Sequence, residues 1–208
     1  MSSFPATTYD GAGRYAADYF RLLAEAAATV DQQAVTAAGE LLAQRAAAGG
    51  TMFSCGNGGS AAIANHLACD CLKGVRSNSV LRPRVQSLST PVELVTAIAN
   101  DIGVEQIFSY PLESLADGGD VLIAISSSGN SPNIKRVLET AKRLGTKTIA
   151  MTGFDGGVAR QLADICLHVQ CDNYGIVEDI HQSLMHILAQ FLRQSHLEEP
   201  ASIGSYKF

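Results

Sequence analysis

The fold is decided by the segment DVLIAISSSGNSP, which occupies residues 120–132. Its first half is an apolar run without an alternating polar face, which is typical of a strand that is buried on both sides in a parallel sheet. Serines around Gly129 follow, and Pro132 then stands where proline is favoured, at the first position of a helix. The segment therefore predicts a βα unit with a polar turn at the carboxyl end of its strand.

The same pattern of strand, turn and helix occurs elsewhere in the chain. Short apolar runs that end in Gly, Ser or Asn turns predict five strands, at 51–55, 84–88, 120–125, 146–151 and 164–169. Amphipathic stretches predict helices at 60–73, 92–100, 132–144, 158–162 and 177–194. We therefore expect an α/β protein, a three-layer α/β/α sandwich around a five-stranded parallel sheet, with ligands bound where the winding reverses.

The first fifty residues differ from the rest because they contain no strand pattern. Ala and Leu at helical spacing predict two N-terminal helices, with Asp31 as a cap between them. A length of 208 residues leaves room for a single domain at 1–208. Its predicted parts are helices at 1–50, an α/β core at 51–195 and a frayed tail at 196–208.

Composition and charge exclude several classes of function. The formal net charge is −5, from 20 acidic and 15 basic residues, so bulk electrostatics would not attract the chain to nucleic acid or to an anionic membrane. Apolar runs stay shorter than the ~20 residues of a membrane span. Five cysteines without a regular framework are expected to be reduced, which favours a cytoplasmic location. We expect neither nucleic acid nor membrane as a partner.

Two turns after predicted strands have the composition of an anion site. The first, CGNGGS at 55–60, has three glycines that allow close approach of the backbone, and Ser60 is expected to cap the next helix. The second is the serine turn at 126–131. Helix-start N–H groups and hydroxyls can together hold a phosphate, although such turns also simply reverse chains and cap helices. Neither turn has the dinucleotide or Walker pattern, so no nucleotide cofactor is expected.

Ionisable residues occur on two otherwise apolar predicted helices. His66 and Asp70 are four residues apart and share one face of the first. The last helix has four polar residues among apolar ones, and these are Glu178, His181, Gln182 and His186. Imidazoles and carboxylates are ligands of zinc-like ions, while the alternative is a set of histidines that are merely hydrogen-bonded.

Helical spacing limits which of these side chains can share an ion. Glu178 and His186 are eight residues apart, about 12 Å along an unbroken helix, so both reach one ion only if Glu178 lies at the helix entrance. His181 lies about 140° around the helix from His186. These two histidines should therefore not share a site.

Together these motifs resemble the sugar isomerase (SIS) domain, which has a flavodoxin-like fold, and more narrowly the sedoheptulose-7-phosphate isomerase (phosphoheptose isomerase) family. The resemblance covers nearly the whole chain and rests on residues 56–60, 66, 100–101, 126–131, 152–157, 178 and 186. It implies a homotetramer with active sites at subunit interfaces and one zinc ion per subunit. It also implies an aldose–ketose isomerisation of a sugar phosphate, D-sedoheptulose 7-phosphate to D-glycero-D-manno-heptose 7-phosphate.

The resemblance implies roles for individual residues. Substrate would be bound by Asn57, Gly58, Ser60, Ser126, Ser127, Ser128 and Ser131. Metal would be bound by His66, Asp70, Glu178 and His186. Of these, Asp70 or Glu178 would be the catalytic base and His186 the acid. The chain has Asp70 and Glu178 where the family has Glu and Gln, and it has Pro91 and Gly175 where the family has Asp.

Two other functions fit the same motifs. A relative in the superfamily, the initiator-associating protein that binds DnaA, is a tetrameric scaffold without catalysis, and residues 94–101 of this chain closely resemble it. A sugar-phosphate sensor would bind its ligand through the serine turn without turnover. The histidines and carboxylates favour the enzyme, because a scaffold has little use for metal-competent side chains in a cleft.

Overall fold

The sheet has the predicted all-parallel arrangement. A computed structural model describes residues 4–205, and its strands are β1 Thr51–Gly56, β2 Arg84–Ser87, β3 Val121–Ser126, β4 Lys147–Thr152 and β5 Ile165–His168. Their spatial order is β2-β1-β3-β4-β5, and every neighbouring pair is parallel. Each residue of β3 is buried, as its unbroken apolar run predicted. All five strand predictions are therefore confirmed.

Helices cover both faces of this sheet. They are α1 Ala12–Ala27, α2 Gln32–Ala47, α3 Gly59–Cys69, α4 Val92–Asp101, α5 Ser109–Leu115, α6 Pro132–Leu144, α7 Gly157–Leu162 and α8 Tyr174–Gln194. One apolar core lies between the sheet and α1, α2, α3 and α8, and a second lies under α4 to α7. This confirms the three-layer sandwich. Asp31 caps α2 as predicted, since its carboxylate accepts a hydrogen bond from the Gln33 N–H at 2.8 Å.

The strand order brings the two polar turns next to each other. The turn after β1 leads into α3 on one face of the sheet, and the turn after β3 leads into α6 on the other face. Because β1 and β3 are neighbours, this is the point where the winding reverses and where open α/β sheets bind ligands. The fold therefore places both predicted anion turns at one edge.

Two helical features differ from the sequence prediction. Helix α5 was missing from the prediction because seven residues that include Pro111 show no helical period. Helix α3 ends at Cys69 and continues as a π-helical segment over Asp70–Val75. Such wide turns are rare and often occur at functional sites.

The predicted frayed tail is wrong in part. Leu197 is buried and pairs with Ser79 in an isolated antiparallel bridge, and the Glu198 N–H donates to the Asn78 carbonyl at 3.1 Å. A 3-10 turn follows at Pro200–Ser202. The attachment depends on a loop that is distant in sequence, so no local period announced it. Residues 206–208 of the predicted tail lie outside the described residues.

All five cysteines have free thiols, in agreement with the reduced state expected from the sequence. Burial raises the pKa of the Cys71 thiol to about 12, which keeps it protonated and unreactive. Within residues 4–205 no helix combines the length and the apolar character that crossing a membrane requires.

His181 should make the stability of the fold depend on pH. It is fully buried on α8, where its ring lies near the Thr152 backbone. Burial lowers the pKa of His181 to about 4, against about 6.5 in an unfolded chain. Between these values the unfolded chain binds more protons, so the free energy of unfolding should decrease by about 3 kcal/mol as the pH falls from about 6.5 to about 4.

Urea unfolding at stepped pH measures this effect. His181→Leu should make the free energy of unfolding nearly independent of pH between about 4 and about 6.5. His196→Leu, at a half-buried position after α8, is the matched control and should keep the wild-type pH dependence. A wild-type dependence that survives His181→Leu would contradict the assignment.

Candidate functional site

The serine turn forms a small polar cavity at the carboxyl edge of the sheet, here called the serine pocket. Its walls are Asn57, Ser60, Ile125, Ser126, Ser127, Ser128, Ser131, Tyr174 and Glu178. The volume is about 130 Å³, close to that of about four water molecules in the liquid and enough for a phosphate group. The pocket thus brings together all the predicted substrate-binding residues except Gly58, which precedes α3 and does not line it.

Two hydroxyls of the serine pocket are available to a ligand. Ser127 Oγ is buried and has no hydrogen-bond partner in the described part of the chain. Ser131 is the N-cap residue of α6, yet its side chain makes no capping hydrogen bond. A buried hydroxyl without a partner costs about 1–3 kcal/mol, and a ligand oxygen would relieve this cost.

The predicted capping role of Ser60 is wrong. Helix α3 begins after Gly58, whose φ of 53° lies in the region that favours glycine. Ser60 lies buried in the first turn of α3 and lines the pocket instead. The start of α3 therefore has no side-chain cap.

A pair of amides joins the two turns. Asn57 Nδ2 donates to Asn133 Oδ1 at 3.0 Å, and Asn133 Nδ2 donates to Asn57 Oδ1 at 2.9 Å. Asn133 is buried in the first turn of α6. The serine turn itself needs Gly129, because its φ is 66° and a Cβ there would collide with the Gly156 carbonyl oxygen. The pocket is therefore held by contacts within the protein.

Glu178 lies at the edge of the serine pocket. Its carboxylate packs so closely against Gly59 that a Cβ on this residue would collide with it. Burial, and to a lesser degree the neighbouring Asp179, raise the pKa of Glu178. Because α8 begins at Tyr174, Glu178 lies in its second turn and not at the entrance that sharing an ion with His186 required.

Three side chains from α3, its π-helical extension and α8 form the His-Asp-His cluster. His66, Asp70 and His186 each offer a ligand atom, and these atoms all lie within 4.8 Å of one another. His66 Nε2 is 3.3 Å from Asp70 Oδ1, and His186 Nε2 is 3.6 Å from Asp70 Oδ2. Ligand atoms around a tetrahedral zinc with bonds of about 2.0–2.1 Å are about 3.3–3.4 Å apart, so the cluster fits such an ion.

The fold brings His66 and His186 together and keeps His181 apart from them. The imidazoles of His66 and His186 have their ring centroids 5.0 Å apart, although 120 residues separate them in sequence. His181 is buried away from them, as its angle around α8 predicted. Glu178 is not one of the three side chains of the cluster, and its predicted place among the ligands stays a prediction.

Helices α3 and α8 lie side by side and connect the pocket to the cluster. Glu178 contacts Gly59 near the start of both helices, and Gln182 and His186 contact His66 about two turns further on. Glu178 and His186 are about 12 Å apart along the axis of α8. Glu178 and Gln182 therefore lead along one face of α8 from the serine pocket to the cluster.

The sequence prediction assigned no role to Gln182, Asn133 or Tyr174. Gln182 lies one turn from both Glu178 and His186, so its place on the same face of α8 was a usable signal. Asn133 had no such signal, because its partner Asn57 is 76 residues away. Tyr174 lines the serine pocket and packs against Phe154, with ring centroids 4.7 Å apart.

Ser127→Ala should weaken the binding of inorganic phosphate about tenfold without a loss of stability. The hydroxyl has no partner among residues 4–205, so its removal should leave the free energy of unfolding unchanged or raise it by about 1 kcal/mol. Calorimetric phosphate titration and urea unfolding measure the two effects.

Ser126→Ala is the matched control for this substitution. Ser126 Oγ accepts a hydrogen bond from the Gly129 N–H at 3.2 Å, so its removal should cost about 1 kcal/mol of stability. The assignment fails if Ser127→Ala binds phosphate as the wild type does, or if it is the less stable of the two variants.

Comparison with known proteins identifies the family of the chain. The SIS domain family matches residues 14–153, and the chain belongs to this family. Within it, the chain belongs to the phosphoheptose isomerases. It is 34% identical to the phosphoheptose isomerase of Akkermansia muciniphila over 86% of this chain and 91% of the relative. For the phosphoheptose isomerase of Chlorobaculum parvum the identity is 38%, over 84% of each chain.

A solved structure extends the comparison to three dimensions. The phosphoheptose isomerase of Neisseria gonorrhoeae matches this chain with a TM-score of 0.79 and 31% identity, covering 86% of this chain and 96% of that one. The resemblance that the motifs indicated is therefore confirmed.

Proposed function

We propose that this chain is a metal-dependent isomerase that converts D-sedoheptulose 7-phosphate to D-glycero-D-manno-heptose 7-phosphate. One observation carries the proposal: the serine pocket and the His-Asp-His cluster share the α3–α8 pair, with Glu178 in the wall of the pocket and on the same face of α8 as the cluster. A sensor needs only the first of these sites, and a scaffold needs neither. Family membership supports the same substrate class, since the matched relatives are named phosphoheptose isomerases.

The serine pocket binds the phosphate of the substrate. Within residues 4–205 the buried Ser127 hydroxyl has no partner and Ser131 makes no capping hydrogen bond, and the uncapped start of α3 adds a positive helix end. Phosphate binding is remote from the reacting carbons. Its free energy therefore serves to align the open sugar chain along α8.

His66, Asp70 and His186 would hold one zinc ion. The ion would supply Lewis-acid polarisation of the carbonyl oxygen. A nitrogen or carboxylate bound to a cation cannot also accept a proton, so Asp70 and His186 belong to the ligand set. Of the two carboxylates that the sequence left open, we therefore propose Glu178 as the base.

Glu178 moves a proton between neighbouring carbons. It takes a proton from C1 of the open ketose while the C–H electron pair forms the C1=C2 bond and O2 gains a proton from water. In the second half O1 gives its proton back to water, C1=O forms and Glu178 returns its proton to C2. No electrons are gained or lost overall, and a raised pKa suits a carboxylate that must both accept and donate.

The proposed enzyme is a cytoplasmic homotetramer with active sites at subunit interfaces. Apolar side chains on α1 and α8 support this, because Phe20 is 66% exposed and Ile187 is 51% exposed. They line a groove of about 320 Å³ between α1, α2 and α8 that one subunit leaves open. Light scattering should give four times the mass of the chain.

The decisive experiment incubates the purified, zinc-loaded protein with seven-, six- and five-carbon ketose phosphates and identifies the products. Conversion of D-sedoheptulose 7-phosphate to an aldose phosphate is expected, with slower turnover of the shorter sugars. Tight binding of sugar phosphate without turnover would support the sensor. Neither binding nor turnover would support the scaffold.

A further inference from the structure

The amide of Gln182 lies between the two imidazoles of the His-Asp-His cluster. Gln182 Nε2 is 3.0 Å from His66 Nδ1 and 3.1 Å from His186 Nε2. The side chain is half-buried and projects from α8 one turn before His186. It is thus the hydrogen-bonding side chain of α8 that lies against the imidazole of His66 on α3.

The two ring nitrogens of His66 face different partners. Nε2 faces Asp70, 3.3 Å from Oδ1, while Nδ1 faces Gln182. An ion that His66 shares with Asp70 therefore binds Nε2. The proton of the neutral ring then resides on Nδ1, in contact with the amide.

The Gln182 amide can accept a hydrogen bond from His66 Nδ1–H in the metal-bound protein. Its carbonyl oxygen and NH2 group are similar in size, and a half turn about the last side-chain bond exchanges them. Gln182 Oε1 then stands where it accepts a hydrogen bond from His66 Nδ1–H, and the contact of the amide with His186 Nε2 is given up when that nitrogen binds the ion. Metal-bound histidines almost always have such an acceptor behind them, and its loss typically weakens metal binding 10- to 100-fold.

We infer that Gln182 is a positioning residue that fixes His66 in the tautomer whose Nε2 binds the ion. The inference rests on the proposed metal-dependent function. Glu178, on the same face of α8, packs against Gly59 and lines the serine pocket. The orientation of the His66 imidazole then depends on Gln182. A neutral amide adds this order without a further negative charge.

Zinc affinity of the chelator-stripped protein tests the inference through competition with a chromophoric chelator. Gln182→Leu should bind zinc 10- to 100-fold more weakly, whereas Gln182→Glu should stay within about threefold of the wild type because a carboxylate also accepts from Nδ1–H. Gln190→Leu is the matched control, since it makes the same change at an exposed position two turns further along α8. It should bind zinc as the wild type does.

Cobalt absorption separates positioning from direct ligation. At saturating Co²⁺ the visible spectrum of Gln182→Leu should match that of the wild type, because His66, Asp70 and His186 remain the ligands. Wild-type zinc affinity in Gln182→Leu, or an altered saturated cobalt spectrum, would overturn the inference, as would a wild-type protein that binds neither metal.

The same variants distinguish this inference from the proposed function. A zinc-binding protein with the expected Gln182→Leu defect but without turnover of any ketose phosphate would overturn the isomerase and leave the positioning role intact. An active isomerase whose zinc affinity is insensitive to Gln182 would overturn the positioning role and leave the isomerase function intact.

Discussion

Glu178→Gln should slow isomerisation about 10²- to 10⁴-fold while inorganic phosphate binds about tenfold more tightly. The first effect is the usual size of a lost general base. The second follows because the carboxylate lines the serine pocket and repels an anion there, and a change of about 1.4 kcal/mol is tenfold in affinity. Product assays and phosphate titration measure the two.

Asp179→Asn is the matched control, because it removes a neighbouring carboxylate outside the pocket. Asp179 accepts a hydrogen bond from the Tyr19 hydroxyl at 2.6 Å, and the rate should stay within a few-fold of the wild type. Since Asp179 contributes to the raised pKa of Glu178, its replacement should move the acid limb of the rate profile to lower pH. Slow turnover together with weaker phosphate binding in Glu178→Gln would indicate a damaged pocket and refute the assignment.

Removal of the metal should abolish isomerisation, and zinc should restore it. His186→Gln should lower zinc affinity by about 10²-fold or more, because it removes one of three ligands from the His-Asp-His cluster. Phosphate binding should survive both changes, since the serine pocket is built from other residues. Metal analysis after dialysis, rate assays and phosphate titration check these outcomes.

His196→Gln makes the same substitution at a histidine outside the cluster. His196 follows α8 and contacts the Leu192 carbonyl through Nδ1 at 3.0 Å, so zinc content and rate should both be unchanged. Full activity after exhaustive chelation would exclude a metal-dependent reaction. Equal losses in the two variants would show that the effect is not specific to the cluster.

The elements that the sequence predicted are those with a strong local signal. β3 follows from five consecutive apolar residues, and α6 is bounded by Pro132 at its first position and by Gly145 at its left-handed C-cap. α5 lacks such signals because it is short and contains Pro111. The π-helical turn from Asp70 also has no counterpart in a 3.6-residue period.

The candidate site was predictable in its residue types but not in its partnerships. The serines and both histidines were found because anion turns and metal ligands have recognisable chemistry. The sequence could not predict that Glu178 lines the pocket and Gln182 contacts the imidazoles, since both residues lie on one face of α8 at helical spacing. Only the packing of α3 beside α8 sets Glu178 against Gly59 and Gln182 between the imidazoles.

The amino-acid sequence by itself determined the βα units, the two polar turns and the set of side chains able to bind phosphate and metal. These are properties of the local backbone and of burial periodicity, which act within a few residues. The tertiary structure alone decided which side chains meet, including Asn57 with Asn133 and Gln182 with His66. The reason is physical: hydrogen bonds across 76 or 116 residues are formed only when the packing of the sheet and helices fixes both partners.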